Sequence, residues 1–285
     1  MYGSGGPLRI RAPTRGSWTF VAVRETLLVE RDAGVVTITL NRPRKLNAMT
    51  ARMWQELIEA LDEIEDNRDD RALIITGAGD GFCSGADLTD TEGNETAVGG
   101  VGGTWRRMRL VGSAALKLHD FAKPTVAAVN GVAAGAGLNL ALCCDIIVAS
   151  DRARFSEIFS RRGLAVDYGG SWLLPRLIGL HRAKELVLLA EMLDATAAER
   201  MGLVNRVVAH DALITEVREI AGRLAALPPL QLAMSKKLLN QSFAMSMAEA
   251  LDAEGLAQTV SFASKDTIEA VLAFAQKREP HFTGE

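Results

Sequence analysis

The stretch that decides the fold is Thr125-Val-Ala-Ala-Val-Asn-Gly-Val-Ala-Ala-Gly-Ala-Gly-Leu-Asn-Leu140, an apolar run that ends in a turn of small residues. A second stretch has the same design, because Ala72-Leu-Ile-Ile-Thr-Gly77 leads into Gly81-Phe-Cys-Ser-Gly-Ala-Asp-Leu88. Short apolar runs are typical of buried strands, and small residues let another group approach the backbone. A helix N-terminus carries unpaired N–H groups with partial positive charge. Two such turns can place two N–H donors on one developing oxyanion, which favours acyl chemistry.

The composition is that of a globular protein without a nucleic-acid partner. Of the 285 residues, 48% are hydrophobic, and 32 basic residues against 35 acidic ones give a net charge of −3. Nucleic-acid binding normally needs a basic surface, so this class of function is disfavoured. The three cysteines, Cys83, Cys143 and Cys144, do not make a disulfide framework. A reducing compartment is therefore indicated, and we expect a cytoplasmic protein.

Residues 1–20 contain several glycines and arginines but no acidic residue. They lack the apolar segment of a secretory signal, so we expect a disordered or tag-like leader. A mitochondrial transit peptide, which is also rich in arginine and poor in acids, is the alternative. The longest apolar stretch, residues 125–150, is interrupted by Asn and Asp, and we expect no membrane insertion.

Strands alternate with helices in the first two thirds of the chain, which favours stacked units with parallel strands and an α/β fold. The predicted strands are 35–40, 73–76, 126–129, 146–149 and 153–155. The predicted helices are 51–66, 105–119, 135–143 and 170–180, with Pro175 kinking or ending the last, and then 181–190, 195–201, 211–226, 229–241, 246–254 and 264–277. The Gly-rich segment 92–104 is predicted to be a mobile loop beside the site.

Three common kinds of site do not fit. Gly77-Ala-Gly79 follows a strand, but Phe82 occupies the third glycine position of a dinucleotide-binding loop. Ser84 lies in Gly-Phe-Cys-Ser-Gly rather than in the Gly-x-Ser-x-Gly turn of serine hydrolases. The histidines and cysteines lack the spacing of metal ligands.

Seven motifs spread over residues 40–280 strongly resemble the enoyl-CoA hydratase/isomerase (crotonase) superfamily. They are Leu40-Asn-Arg-Pro-Arg-Lys-Leu-Asn-Ala48, Gly81-Phe-Cys-Ser-Gly-Ala-Asp-Leu88, Ala127-Ala-Val-Asn-Gly-Val-Ala-Ala-Gly-Ala-Gly137, Cys144-Asp-Ile146, Gly169-Gly-Ser-Trp-Leu-Leu-Pro-Arg-Leu177, Met201-Gly-Leu-Val-Asn-Arg-Val207 and Ala273-Phe-Ala-Gln-Lys-Arg-Glu-Pro280. The resemblance implies a spiral core of ββα units over residues 21–205, which holds the acyl-CoA site. It also implies a C-terminal helical region over residues 206–285 that assembles a homotrimer or hexamer.

The resemblance further implies an acyl-CoA thioester as substrate, with no cofactor other than the coenzyme A that the substrate carries. By position, the backbone N–H groups of Ala86 and Ala136 are the expected oxyanion donors. The expected substrate-binding residues are Arg44, Lys45, Ala48, Ser84, Gly85, Asp87, Leu88, Gly135, Asn139, Phe159 and Lys277. Arg44, Lys45 and Lys277 are candidates for contacts with the CoA phosphates, and ordinary solvated charge is their alternative interpretation.

The chain departs from the hydratase pattern at both catalytic glutamates. The alignment places Asn139 at the first position and Phe159 at the second, and neither side chain exchanges a proton at neutral pH. Glu157 is two residues out of register, so the sequence assigns it no role. Asp167 is the acid that remains, as either a helix N-cap or a catalytic base, and it resembles the Asp of isomerase-type members.

The sequence therefore predicts an acyl-CoA enzyme that stabilises a thioester enolate. The leading hypothesis is an enoyl-CoA double-bond isomerase with Asp167 as its single base. An enoyl-CoA hydratase of fatty-acid β-oxidation is the alternative within the family. A CoA-thioester-binding protein without catalysis is the alternative of another class.

Overall fold

The computed structural model describes residues 8–11, 18–90 and 100–285, with side chains from Val21 onward. The strands are β1 (Leu8–Arg11), β2 (Trp18–Val23), β3 (Leu27–Asp32), β4 (Val35–Leu40), β5 (Ala72–Gly77), β6 (Gly81–Cys83), β7 (Thr125–Val129), β8 (Val132–Ala134), β9 (Ile146–Ser150), β10 (Arg154–Ser156), β11 (Leu193–Asp194) and β12 (Arg206–Val208). The helices are α1 (Ala51–Asp66), α2 (Gly100–His119), α3 (Ala136–Leu142), α4 (Gly170–Ile178), α5 (Leu180–Leu189), α6 (Ala195–Met201), α7 (Leu213–Ala225), α8 (Pro229–Gln241), α9 (Met247–Ala263) and α10 (Lys265–Gln276). Short 3-10 turns lie at Pro43–Lys45, Ile158–Arg162, His210–Ala212 and Ser242–Ala244.

The described strands form two sheets. The larger has eight strands in the order β1-β2-β3-β4-β5-β7-β9-β12, and the smaller has four in the order β11-β10-β8-β6. Strands β1 to β4 pair antiparallel, whereas the β4-β5, β5-β7, β7-β9 and β9-β12 pairs are parallel. The parallel strands β5 and β7 are buried at every residue, as expected for strands covered on both faces.

One unit of two strands and a helix occurs three times in succession. Strands β5, β7 and β9 each join the larger sheet, and the strand that follows each of them joins the smaller sheet. Helices α2, α3 and α4 complete the three units. This arrangement confirms the α/β spiral of ββα units that the sequence predicts.

The turns between the two sheets are tied by asparagine side chains. Asn130 follows β7, and its Nδ2 donates to the Gly79 carbonyl at 2.8 Å while its Oδ1 accepts from the Gly77 N–H at 3.2 Å. Asn47 likewise donates to the Gly81 carbonyl at 2.8 Å. Both amides are buried, so their hydrogen bonds fix neighbouring turns relative to each other.

Helix α1 covers one face of the larger sheet. The Thr50 side chain accepts a hydrogen bond from the Met53 N–H at 3.2 Å and caps the helix. Trp54, Leu57 and Leu61 are fully buried at helical spacing, so this helix belongs to the main hydrophobic core. The predicted range 51–66 is confirmed.

The structure corrects the sequence predictions for the N-terminal segment and for the Gly-rich segment. Leu8–Arg11 and Trp18–Val23 pair as antiparallel strands at the edge of the larger sheet, whereas residues 1–7 and 12–17 of the predicted leader lie outside the described residues. Gly100 to Thr104, predicted as loop, form the first turns of α2, and residues 92–99 also lie outside the described part. Of the two alternatives for Pro175, kinking or ending its helix, the structure excludes the second, because the helix continues to Ile178.

The first helix after residue 205 packs on the larger sheet, and the helices that follow it extend away from that sheet. Helix α7 buries Leu213, Val217 and Ala221 against β5, β7 and β9 in a second apolar cluster. Helices α8 and α9 bury no residue completely, and α9 extends to Ala263 rather than ending at 254. No helix among the described residues is long and apolar enough to cross a membrane.

Gly137 tests the close packing of α3 on β6. A Cβ atom there would overlap the Cys83 carbonyl oxygen and lie 2.8 Å from the Cys83 Cβ. We expect Gly137→Ala to lower the free energy of unfolding by about 2–3 kcal/mol, because backbone must move to make room. In the matched control, Gly222→Ala in α7, the new Cβ meets no atom within 4 Å. That change should be stabilising by about 0.5–1 kcal/mol in urea titrations. Equal effects of the two substitutions would contradict this packing.

Candidate active site

The two small-residue turns meet at one place in the fold. Gly85 has a φ of +98°, and a Cβ atom on it would lie 2.8 Å from the Ala134 carbonyl oxygen and 3.7 Å from the Ala136 nitrogen. Ala86 pairs with Met49 as an isolated parallel bridge, which holds the first turn in place. The backbone of the first turn therefore faces the N-terminus of α3.

The backbone N–H groups of Ala86 and Ala136 donate to no group in the described part of the chain. Ala136 is the first residue of α3, so its N–H is one of the unpaired donors of a helix N-terminus. Gly135 precedes it with φ 52° and ψ −127°, a conformation that favours glycine. Its own N–H is bonded to the Ser156 carbonyl at 2.8 Å. Two free donors on facing turns have the arrangement that an oxyanion hole needs.

Several residues predicted to bind CoA lie beside the first turn. The Ser84 hydroxyl donates to the Lys45 carbonyl at 3.2 Å, and the Ser84 N–H donates to the Leu46 carbonyl at 2.9 Å. The contact brings the Pro43–Lys45 turn against the residue before Gly85. Of the predicted residues, Arg44, Lys45 and Leu88 are exposed, whereas Ala48 is buried. The two cations thus remain available to an anionic ligand.

Asp87 has a structural partner that the sequence analysis missed. Its carboxylate accepts a hydrogen bond from the Arg42 guanidinium at 2.9 Å and another from the Thr89 hydroxyl at 2.7 Å. Burial alone would raise the pKa of Asp87, but these hydrogen bonds and the Arg42 charge outweigh it and lower the pKa. Arg42 also donates to the Ala48 carbonyl. Asp87 therefore holds the turn together, and its carboxylate is already occupied.

Lys277 is not brought to these residues. It is the C-cap of α10, with a φ of 54°, and its side chain is exposed. No hydrogen bond or ion pair joins it to the turns in the described residues, so the structure leaves its predicted contact with phosphate as a prediction.

Asp167 is not a helix cap. Gly169 occupies the N-cap of α4, and that helix end has no side-chain cap. The Asp167 Oδ1 is buried without a hydrogen-bond partner in the described residues. Its loop is held instead through the backbone, because the Asn139 Nδ2 donates to the Asp167 carbonyl oxygen at 2.9 Å. The carboxylate is therefore free to act on a ligand.

Glu157, to which the sequence assigns no role, lies beside the same amide. The Asn139 Nδ2 lies 3.5 Å from the Glu157 Oε2, so one amide contacts both acidic residues. Glu157 precedes the Ile158–Arg162 turn with φ −85° and ψ 64°, and thus belongs to neither a strand nor a helix. The position of Glu157 could therefore not be predicted from the regular side-chain spacing of a strand or a helix. We call Asn139, Glu157 and Asp167 the acid cluster.

Burial sets the protonation of the two carboxyls. Glu157 is fully buried, and desolvation raises its pKa to about 8 in spite of the hydrogen bond from Asn139. The negative charge of Asp167 acts in the same direction. Desolvation also raises the pKa of Asp167, to about 6. Near neutral pH, Asp167 is therefore ionised and Glu157 keeps its proton.

Apolar and small residues form the walls of this site. A Cβ atom on Gly135 would lie 3.5 Å from both the Phe159 ring and the Ile158 side chain. Phe159 is buried, so its predicted contribution is an apolar wall rather than proton transfer. A Cβ atom on Gly170 would lie 2.5 Å from the Asn139 Nδ2, so only glycine leaves room for the amide. No group of three or more His, Cys, Asp or Glu side chains in the described residues is arranged to hold a metal ion.

The stability of the protein should depend on whether Glu157 is protonated. Its folded pKa of about 8 lies above its ordinary value of 4.5, so its contribution to stability is complete below pH 4.5 and is lost as the pH rises through 8. We expect Glu157→Gln to raise the free energy of unfolding relative to that of the natural chain. This gain should be about 2–4 kcal/mol larger at pH 9 than at pH 4.5. Urea titrations across this range measure the difference. Glu185→Gln, at an exposed site in α5, is the control, and its difference in unfolding free energy from the natural chain should be the same at both pH values. The same result for Glu157→Gln would show that the Glu157 carboxyl is not desolvated.

Comparison with known proteins gives a consistent result. The family model described as enoyl-CoA hydratase/isomerase matches residues 30–285. The chain is 39% identical over 260 residues to 1,2-epoxyphenylacetyl-CoA isomerase of Escherichia coli, which covers 91% of this chain and 99% of that protein. It is 38% identical over 262 residues to a probable enoyl-CoA hydratase of Mycobacterium bovis, and the alignment covers 91% of this chain and 98% of that protein. The crystal structure of an enoyl-CoA hydratase from Bacillus anthracis superposes with a TM-score of 0.86 at 31% identity, covering 92% of this chain and all of that one (100%). The chain belongs to the enoyl-CoA hydratase/isomerase family.

Proposed function

We propose that this acyl-CoA enzyme is an enoyl-CoA double-bond isomerase that moves a double bond from the 3- to the 2-position of the acyl chain. The observation that carries the proposal is the Asp167 carboxylate, which is half-buried, caps no helix and accepts no hydrogen bond from the described residues. The backbone carbonyl of Asp167 accepts a hydrogen bond from Asn139, a residue one helical turn after Ala136. A single free base next to two N–H donors is what a 1,3-proton shift requires. One relative is named as an isomerase of another CoA thioester, 1,2-epoxyphenylacetyl-CoA, which is compatible with an isomerase rather than a hydratase.

The chemistry follows from charge. The thioester carbonyl oxygen accepts hydrogen bonds from the Ala86 and Ala136 N–H groups, which stabilise the negative charge that develops when the α-proton leaves. Asp167 takes that proton, and a pKa of about 6 keeps it ionised near neutral pH while leaving it basic. The dienolate is then protonated at Cγ, and the double bond becomes conjugated with the thioester. The substrate brings its own coenzyme A, and no other cofactor enters this scheme.

Enoyl-CoA hydration is the second candidate, favoured by two observations. Several relatives are named hydratases, and the acid cluster holds a second carboxyl where the sequence suggested one acid alone. Two carboxyls can activate and protonate a water that adds across a conjugated double bond. A protein that binds CoA thioesters without turnover is the third possibility, and inactivity with both kinds of substrate would indicate it.

Asp167→Asn should separate these functions. The natural chain should convert a 3-enoyl-CoA to the 2-enoyl-CoA, seen as a gain of conjugated-thioester absorbance. The amide cannot take the proton, so we expect kcat to fall by about 10²–10⁴-fold. In the natural chain, kcat should rise with pH through about 6 as Asp167 ionises. Asp211→Asn, at an exposed acid, is the matched control and should leave kcat unchanged.

Two outcomes would contradict the isomerase. Full activity of Asp167→Asn would show that another group is the base. Loss of absorbance from a 2-enoyl-CoA, with no reaction of the 3-enoyl-CoA, would identify a hydratase instead.

Self-association is the second part of the proposal. Helices α8 to α10 carry a set of exposed apolar side chains: Leu239, Met247, Leu251, Leu256, Val260, Phe262, Ile268, Val271 and Phe274. Apolar surface of this extent marks an interaction site. The trimer or hexamer implied by the family resemblance would cover it with copies of the same chain. The cytoplasmic location expected from the cysteine content stays a prediction.

Phe262→Glu should weaken that assembly. The Phe262 side chain is 74% exposed, and a charge there would be buried without a partner on association. We expect light scattering of the natural chain to give three or six times the 30.6 kDa chain mass, and the variant to shift toward the chain mass. Thr215→Glu, with the same charge change on α7, should leave the mass unchanged. A natural chain that elutes at its own mass would refute the assembly.

A further inference from the structure

The second carboxyl of the acid cluster has no structural role of its own. Glu157 forms no ion pair with any described residue, and its Oε1 is buried without a hydrogen-bond partner. Its other oxygen has only the long contact of 3.5 Å from the Asn139 amide. Burying a carboxyl costs free energy unless its polar atoms are satisfied, so an acid kept in this way calls for another function.

The position of Glu157 relates it to the oxyanion donors. It directly follows Ser156, whose carbonyl accepts the Gly135 N–H at 2.8 Å, so it lies beside the start of α3. Asn139, one turn into the same helix, contacts Glu157 through its amide and the Asp167 carbonyl through the same nitrogen. Asn139 therefore contacts the Glu157 carboxyl and the backbone of Asp167, and it lies one turn after Ala136, whose N–H is a proposed oxyanion donor. The Glu157 Oε1 and the Asp167 Oδ1 are buried without a hydrogen-bond partner among the described residues, as is the Asn139 Oδ1.

We propose that Glu157 is a second catalytic residue, and that it delivers the proton to Cγ after Asp167 has taken the α-proton. This step rests on the proposed isomerase function and names the group that completes it. The Cα–H bond breaks and its proton forms an O–H bond on Asp167, while the electron pair delocalises into the dienolate. The Glu157 O–H bond then breaks as the new Cγ–H bond forms, and Glu157 is left as a carboxylate. No external oxidant or reductant is needed.

The resting state of the cluster is then restored by one proton transfer. The product leaves Asp167 protonated and Glu157 ionised. Because desolvation disfavours charge on the deeper carboxyl, the proton returns from Asp167 to Glu157, directly or through solvent. The pKa values of about 6 and about 8 make this return favourable. One base and one acid, set apart by their environments, thus divide the two proton transfers.

Hydrogen isotope tracing can test the division. Enzyme equilibrated in D2O is mixed, in excess, with an unlabelled 3-enoyl-CoA for a single turnover. If Glu157 delivers the proton, the new Cγ–H position of the 2-enoyl-CoA should hold one deuterium, because the Glu157 carboxyl carries solvent deuterium before the reaction. If Asp167 performs both transfers, the hydrogen removed from Cα should reappear at Cγ. Mass spectrometry and NMR of the product distinguish the two.

Glu157→Gln supplies the decisive comparison. This variant cannot donate an acidic proton, so we expect kcat to fall at least tenfold and the hydrogen at Cγ to change from solvent deuterium to substrate hydrogen. A merely structural role would slow the reaction without changing the source of that hydrogen. Glu157→Asp restores an acid and should recover part of the deuterium. Glu185→Gln, at an exposed site in α5, should match the natural chain in rate and label.

Each remaining outcome overturns the proposal. Substrate hydrogen at Cγ in the natural chain, or unchanged deuterium in Glu157→Gln, would show that Glu157 does not deliver the proton. If the natural chain fails to isomerise a 3-enoyl-CoA at all, the proposed function itself is wrong, and this result is separate from any change in label.

Discussion

The contact of backbone on backbone between successive turns is the constraint on which the rest of this structure depends. Gly137 packs on the Cys83 carbonyl, and Gly131 packs on the Asp80 carbonyl, at separations that leave no room for a Cβ atom. This close approach lets α3 start directly against the turn that carries Gly85 and Ala86. The two turns that carry the Ala86 and Ala136 N–H groups lie close together because no side chain stands between them. The geometry of the candidate site is therefore a consequence of the way the ββα units stack.

The second determinant is the degree of burial of two acidic residues beside Asn139. Glu157 is fully buried, whereas Asp167 is only half-buried, and desolvation shifts their pKa values to about 8 and about 6. Their unlike surroundings give two carboxyls opposite protonation states near neutral pH. Asn139 is important because it contacts both residues without itself titrating. An amide at this place contacts the Glu157 carboxyl and fixes the loop of Asp167 through its backbone carbonyl.

Around this pocket, charged residues divide into those that support the fold and those that remain free. Arg42 and Asp87 pair with each other across 45 positions of the sequence and thereby hold the first turn. Arg44 and Lys45 remain exposed beside that turn. Arg42 and Arg44, two positions apart in the sequence, thus differ in their surroundings. The difference arises because Arg42 reaches a buried carboxylate and Arg44 reaches solvent.

The sequence by itself determined the family, the spiral fold that the family resemblance implies, the two small-residue turns, and Asp167 as a helix cap or a base. These features depend on local signals, namely apolar runs, small residues and a motif order that survives in the linear chain. The tertiary structure alone decided that Asp167 is free rather than a cap, that Asp87 is engaged by Arg42, and that α7 packs on the sheet. It also decided that Glu157 lies beside Asn139, because Glu157 stands in an irregular turn where neither helical nor strand spacing applies. Contacts between residues far apart in the chain, and the burial they create, set these roles, and no local pattern records them.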